Sequence, residues 1–165
     1  MSPYLVVPLL ALIAILQTTL IPMFVPGSVR PDLMLIVVVS WGVVHGDGQA
    51  ALWGLGGGIC LDLLSGAPFG LNALTLGGVG LLADSLQTNF FRANIFIPPA
   101  IMFVAALLFH IAQAGALQTL GYPINWAYFS FGVVLPTALL DTALMPIVYW
   151  LLRRIDHVVR PRLTW

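Results

Sequence analysis

Residues 56–74 read GGGICLDLLSGAPFGLNAL, an apolar stretch interrupted by one aspartate, Asp62, and by a turn rich in glycine and proline. Glycine and proline punctuate helices, so the stretch predicts two helices joined by a short turn. Asp62 lies two residues before the expected end of the first helix. We therefore expect its carboxylate to accept hydrogen bonds from backbone N–H groups of the turn. Asn72 is placed to cap the second helix or to bond Asp62.

The composition around this stretch is that of a membrane protein. Of 165 residues, 60% are hydrophobic and only 7% are charged, whereas about a quarter of the residues in soluble domains are charged. All six basic residues are arginine, all six acidic residues are aspartate, and the formal net charge is zero. The chain therefore lacks the basic surface that nucleic-acid binding requires. Its one cysteine, Cys60, excludes an intrachain disulfide.

Hydrophobic segments predict an all-α, polytopic protein with six transmembrane helices in a single integral-membrane domain, residues 1–165. The expected helices cover about residues 4–24, 32–44, 49–64, 71–86, 98–117 and 126–153. A crossing needs about 20 apolar residues, so segment 32–44 is short for a straight crossing. Five crossings remain the alternative, if the second and third helices form a re-entrant or broken pair.

The arginines predict the orientation, because cytoplasmic loops are enriched in basic residues. With six crossings, Arg92 and the four arginines of segment 153–165 lie on one side, and Arg30 lies on the other. We therefore expect both termini to be cytoplasmic, with Arg30 and the turn after Asp62 outside. Segment 153–165 is expected to contact anionic lipid headgroups, with contact to a cytoplasmic filament as the alternative.

Four glycines predict close packing of the third and fourth helices: Gly54, Gly58, Gly77 and Gly80. Small residues at such spacings let two helices approach backbone to backbone. A ligand pocket between these helices is the open alternative. Asp62 and Asp84 are expected at opposite ends of this helix pair, Asp62 near the outer surface. Opposite ends exclude a shared catalytic dyad of the glycosidase or aspartyl-protease type.

Asp141 lies near the middle of the last hydrophobic segment, where a charge is costly and needs a partner. Counting along the helices places His110 at the same depth, so we expect His110 and Asp141 to form a buried polar pair. Thr137 and Gln113 could complete the cluster. Two interpretations stay open: a neutral hydrogen-bonded pair that fixes two helices, or a proton relay or ligand site.

Catalytic and metal-binding signatures are missing from the sequence. It contains no HExxH or GxSxG, and the absence of lysine excludes a P-loop. We therefore expect no enzyme activity, no cofactor and no metal.

Two stretches resemble the family of the rod shape-determining protein MreD. The first is Arg30-Pro31-Asp32-Leu33, and the second is GLGGGICLDLLSGAPFGLN, residues 54–72. These stretches supply ten candidate partner-binding or family-motif residues: Arg30, Pro31, Asp32, Asp62, Ser65, Gly66, Pro68, Phe69, Gly70 and Asn72. Two interpretations stay open: an outer-surface docking site shaped by the turn, or a tight helix hairpin without a binding role. Within this set we expect Phe69 to present an aromatic side chain at the outer surface, and Arg30 to pair with Asp32 or Asp62.

The resemblance implies a non-catalytic component of the bacterial elongation machinery in the inner membrane. Such proteins associate with MreC, a single-pass membrane protein, and through it connect MreB-like filaments to the glycosyltransferase and transpeptidase that build the cell wall. The family also resembles, in fold, the substrate-binding subunits of energy-coupling-factor vitamin transporters. A small-molecule transport subunit, with a pocket lined by His110 and Asp141, is therefore the alternative function.

Overall fold

The chain folds into helices joined by short turns, as seen in a computed structural model that describes residues 3–25, 27–46, 48–86 and 97–159, with side chains described from residue 6 to residue 154. Six helices and no strand occur in these ranges. α1 comprises Pro3–Ile15, a π-helical turn at Leu16–Leu20, and Ile21–Phe24. The next four helices are α2 (Leu33–His45), α3 (Gln49–Ser65), α4 (Leu71–Leu86) and α5 (Ile97–Thr119). α6 comprises Trp126–Phe129, a π-helical turn at Ser130–Val134, and Leu135–Val159.

The all-α architecture with six helices is confirmed, whereas six membrane crossings stay a prediction. The first five helices begin and end within two residues of the expected positions, whereas α6 continues to Val159, beyond the expected end at residue 153. No glycine or proline occurs between Arg153 and Pro161, so nothing in the sequence terminates the helix there. Both π-helical turns precede a proline, Pro22 or Pro136. Because proline has no N–H to donate, one hydrogen bond of the regular α-helical pattern is lost at each of these positions.

Helix lengths divide the bundle into two classes. Three stretches are long and apolar enough to cross a membrane: Val6–Phe24, Ile97–Thr119 and Trp126–Arg154. Leu33–His45 and Leu71–Leu86 are apolar but shorter. At 1.5 Å per residue, α2 is about 20 Å long, against a hydrocarbon core about 30 Å thick. A helix as short as α2 therefore cannot span the full thickness of the hydrocarbon core.

α2 is the central helix of the bundle. Its residues from Met34 to Gly42 are all buried, which explains why its sequence is apolar on every face. Trp41, near the end of α2, is fully buried. Its ring stacks on Trp53 of α3, with the ring centroids 4.1 Å apart.

The α3–α4 pair is held together by glycines. A Cβ atom at Gly54 would overlap the backbone of Leu76, one at Gly58 would overlap Ala73, and one at Gly80 would overlap Ala50. At Gly77 the neighbour is instead the side chain of Leu55, 2.8 Å away. Three of the four glycines thus lie where the backbones of α3 and α4 touch. Any larger residue there would increase the distance between the two helices.

Candidate functional site

Asp62 organises the turn between α3 and α4. Its two carboxylate oxygens accept four hydrogen bonds: from the backbone N–H groups of Gly70 (2.9 Å), Asn72 (3.0 Å) and Ala73 (3.1 Å), and from Nδ2 of Asn72 (2.9 Å). These backbone donors belong to the start of α4, whose first N–H groups have no partner within the helix. The expected backbone hydrogen bonds are confirmed. Gly66 and Gly70 adopt the left-handed φ values of +67° and +94° that the turn requires.

A second carboxylate serves the opposite end of the same helix pair. Oδ2 of Asp84, near the end of α4, accepts a hydrogen bond of 3.2 Å from the backbone N–H of Ala51, the third residue of α3. Each helix of the hairpin therefore carries, near its C-terminal end, an aspartate that satisfies the N-terminal end of the other helix. A negatively charged carboxylate near a helix N-terminus is also stabilised by the positive end of the helix dipole.

A separate polar cluster holds the start of α2. Asp32 is the N-cap residue of α2, and its Oδ1 accepts from the backbone N–H of Leu35 (3.0 Å). The Gln17 side chain of α1 bridges to the same helix end: Nε2 donates to Oδ1 of Asp32 (2.9 Å), and Oε1 accepts from the N–H of Met34 (2.8 Å). Two hydrogen bonds of the Gln17 side chain thus connect α1 to the start of α2.

Asp141 of α6 completes this cluster. Its Oδ1 accepts a hydrogen bond of 2.8 Å from the backbone N–H of Asp32, so the buried carboxyl group of α6 also binds the N-terminal end of α2. The predicted hydrogen-bonded pair of Asp141 with His110 is not formed within the described residues. Counting residues along the helices of His110 and Asp141 gives no information about α2. It therefore could not show that α2 begins near Asp141 and supplies an N–H donor to it.

Several buried polar atoms near this cluster lack a hydrogen-bond partner among the described residues: Oδ2 of Asp141, Oγ1 of Thr137 and Nε2 of His110. Asp141 and Thr137 are almost completely buried, with exposures of 0% and 2%. Buried polar atoms are nearly always hydrogen-bonded, so three unpaired atoms in one region are unusual. Gln113, in contrast, donates a 2.6 Å hydrogen bond to Oδ1 of Asn72.

These polar groups form one layer across the bundle. Asp62 and Asn72 lie at one end of the α3–α4 pair, and about 14 residues separate each of them from the other end, or about 20 Å at 1.5 Å per residue. Asp32 lies about 20 Å from the His45 end of α2 by the same measure. Asp62 is only 5% exposed, so its carboxylate lies inside the bundle, and its expected position near the outer membrane surface stays a prediction.

A cleft of about 370 Å³ opens between the polar groups of this layer. Its polar lining residues are Gln17, Thr18, Arg30, Asp32, Ser65, Asn72 and His110, and its apolar lining residues are Ile21, Pro22, Pro31, Leu61 and Leu64. Both sequence stretches that carry the family resemblance contribute to it, Arg30 to Asp32 from one and Ser65 and Asn72 from the other. The cleft is within the size range of small-ligand sites.

The remaining candidate residues lie around the cleft rather than in it. Phe69 is 72% exposed on the turn between α3 and α4. Pro68 and Gly66 belong to the same turn and do not line the cleft. Arg30 is exposed, and the expected ion pair with Asp32 or Asp62 is not formed. No group of three or more His, Cys, Asp or Glu side chains that could hold a metal ion occurs in the part of the chain that the structure describes.

Gln17 and Thr18 are the site residues that sequence reasoning missed. They form part of a short polar interruption, Gln17-Thr-Thr19, in an otherwise apolar first helix. The hydroxyl of Thr18 donates to the backbone carbonyl of Ala14 in its own helix (2.8 Å), whereas Gln17 reaches another helix. A lone amide in an apolar span was the available signal, since such a group needs a partner within the bundle.

Comparison with protein families matches residues 1–155 to the family model described as MreD: rod shape-determining protein MreD. No curated protein and no solved structure matches significantly. The resemblance in fold to vitamin-transporter subunits is therefore without support from solved structures.

Proposed function

The chain belongs to the MreD family of rod shape-determining proteins, which are membrane proteins and not enzymes, and from this premise we propose that it is a scaffold of the bacterial elongation complex. In this proposal it binds an MreC-like single-pass membrane protein. Through that partner it connects an MreB-like filament to the glycosyltransferase and transpeptidase of lateral cell-wall synthesis.

The observation that carries the proposal is the convergence of two distant sequence stretches on one surface. Residues 30–32 and four residues of the range 61–72 line one cleft, and Phe69, on the turn between α3 and α4, is 72% exposed. An exposed aromatic residue on a turn that Asp62 holds rigid is a suitable anchor for a partner, because aromatic side chains dominate interface energies. Preorganisation of the turn lowers the entropy that binding costs.

The proposal includes an orientation in the inner membrane. Six crossings with both termini in the cytoplasm leave the cleft and Phe69 facing the extracytoplasmic side, where the globular part of an MreC-like partner resides. Arg153 and Arg154, exposed at the end of α6, then lie on the cytoplasmic side, as basic residues prefer. Arg92, Arg160 and Arg162, which also support this orientation, lie outside the described residues.

Thiol labelling in whole cells tests the orientation. In a Cys60→Ala background, a cysteine at Tyr122, which is exposed between α5 and α6, should react with a membrane-impermeant reagent. A cysteine at Arg154 should react only after the membrane is permeabilised. The reverse labelling pattern would reject the proposed orientation.

Copurification with the single-pass partner in mild detergent tests the scaffold function. We expect Phe69→Ala to reduce recovery of the partner about tenfold, the effect of losing an interface anchor. Phe131→Ala is the matched control, since Phe131 on α6 is 78% exposed and lies far from the turn in sequence; it should leave recovery unchanged. Equal recovery with both variants would remove Phe69 from the interface. Recovery of a tightly bound vitamin instead of a protein would favour the transport-subunit alternative.

A further inference from the structure

We propose that the cleft binds a zwitterionic headgroup that combines a phosphate with a primary amine, and that its source is phosphatidylethanolamine of the surrounding membrane. This inference goes beyond the scaffold function, because it concerns a ligand of the isolated chain. It rests on the charges, the unpaired polar atoms and the apolar walls of the cleft, whose volume is about 370 Å³.

The cleft contains one cation and one anion that do not neutralise each other. Arg30 is exposed at the cleft, and Asp32 is partly buried within it. No ion pair joins them, although both are among the described residues. A guanidinium group binds phosphate oxygens through paired N–H donors, and a carboxylate accepts hydrogen bonds from a protonated amine. A ligand that carries both charges can therefore satisfy both side chains at once.

Other polar atoms of the cleft retain free hydrogen-bonding capacity. Oδ1 of Asp32 already accepts from Gln17 and Leu35, whereas Oδ2 forms no hydrogen bond within the described residues. Nε2 of His110 is buried and also has no partner there. An unpaired buried polar atom costs free energy, so a ligand that supplies hydrogen bonds in the cleft recovers this cost. These atoms lie on the Asp32 side, where the amine would bind.

The walls of the cleft indicate a lipid rather than a soluble compound. Ile21, Pro22, Leu61 and Leu64 line it beside the polar groups, and Leu64 is also 49% exposed on the outside of the bundle. With the His45 end of α2 at one membrane boundary, Asp32 lies about 20 Å away along the helix axis, inside a hydrocarbon core about 30 Å thick. A headgroup in the cleft would thus keep its acyl chains beside the apolar outer face of α3.

Native mass spectrometry of the purified full chain in detergent, titrated with defined lipids, tests the proposal. We expect phosphatidylethanolamine to bind about tenfold more tightly than phosphatidylglycerol, which has no amine, because hydrogen bonds to a charged group are lost. Phosphatidylcholine should also bind more weakly, because its quaternary ammonium cannot donate a hydrogen bond to Asp32. Equal affinity for the three lipids would overturn the proposal.

Two substitutions separate the contributions of the charges. Arg30→Gln should weaken phosphatidylethanolamine binding about tenfold, whereas Arg153→Gln, at an exposed arginine of α6, should leave it unchanged. Asp32→Asn keeps an N-cap residue and the Oδ1 acceptor, so the chain should remain folded but lose its preference for the amine-containing lipid. Identical lipid binding by the Arg30 and Arg153 variants would overturn the assignment of the phosphate to Arg30.

Free phosphoethanolamine distinguishes the two possible sources of the headgroup. Tighter binding of the lipid than of the free compound identifies the membrane as the source, and equal binding identifies a soluble compound. Binding of neither contradicts the proposal. Because these measurements use the isolated chain, their failure leaves the copurification result unaffected, and a loss of partner binding leaves the lipid titration interpretable.

Discussion

In both the α3–α4 hairpin and the cluster around Asp32, aspartates bind the N-terminal ends of helices. The two regions differ in how completely their polar groups are hydrogen-bonded. In the hairpin, Asp62 accepts four hydrogen bonds from the start of α4, and glycines bring the two backbones into contact. Around Asp32, in contrast, Oδ2 of Asp141 and Nε2 of His110 are buried without partners among the described residues, and a cleft opens beside them.

The difference indicates that the two regions contribute differently to the protein. A region whose polar groups are satisfied contributes stability and a rigid surface. A region whose polar groups remain unpaired loses stability, and such losses are concentrated at functional sites. We therefore expect substitutions of hydrogen-bonded or closely packed groups to lower stability, and substitutions of unpaired polar groups around the cleft to change stability little.

The largest effect is expected from Gly58→Ala. The new Cβ would overlap the backbone of Ala73, which cannot move without separating α3 from α4. Overpacking of this kind costs about 3 kcal/mol, so the variant should unfold at a clearly lower temperature in detergent. Gly78→Ala is the control, since a Cβ there meets nothing within 4 Å. Equal melting temperatures for the two variants would contradict the packing of the hairpin.

The next largest effect is expected from Asp62→Asn. The amide keeps the shape of the side chain, but its NH₂ group would face N–H donors at the start of α4, and the charge that strengthens the bonds is lost. We expect a loss of about 2 kcal/mol in the free energy of unfolding, measured by denaturation in detergent. Wild-type stability of this variant would show that the four hydrogen bonds contribute little.

Gln17→Leu should have an intermediate effect. The substitution removes the hydrogen bonds to Asp32 and Met34 that connect α1 to α2, which we expect to cost about 1.5 kcal/mol. The matched control is Gln118→Leu, because Gln118 is exposed and its side-chain oxygen accepts a hydrogen bond only from the indole of Trp126 among the described residues. If Gln118→Leu lowered stability more than Gln17→Leu, the hydrogen bonds of Gln17 would not be the main connection between α1 and α2.

The smallest effect on stability is expected from Asp141→Asn. Oδ1 can still accept from the N–H of Asp32, and the new NH₂ group replaces an oxygen that has no partner in the described part of the chain. We expect a change below about 1 kcal/mol, in contrast to Asp62→Asn. A loss as large as that of Asp62→Asn would erase the distinction between the two regions.

Local signals in the sequence were sufficient to predict most of the fold. Hydropathy and the glycine and proline positions located all six helices of the described ranges, and the stretch around Asp62 predicted the hydrogen bonds of the following turn. These predictions depend on neighbours in the chain, such as the eight residues that separate Asp62 from Gly70.

The site was less predictable because it depends on packing between distant helices. Depth counting paired Asp141 with His110, whereas Asp141 binds the backbone of Asp32, 109 residues away in sequence. The amino-acid sequence does not show which backbone N–H group will be available as a hydrogen-bond donor. The burial of Trp41 is likewise not visible in the sequence, because only the packed bundle shows that α2 is surrounded on all sides.

Cross-linking in native membranes tests most directly the central claim that the two distant stretches meet at one cleft. In a Cys60→Ala background, cysteines at Arg30 and Ser65, which both line the cleft, should be joined by a short thiol cross-linker. Cysteines at Arg30 and Arg154 should not be joined, because Arg154 lies about 20 Å beyond Asp141 along α6. Failure of the first pair to react, or efficient reaction of the second, would contradict the account.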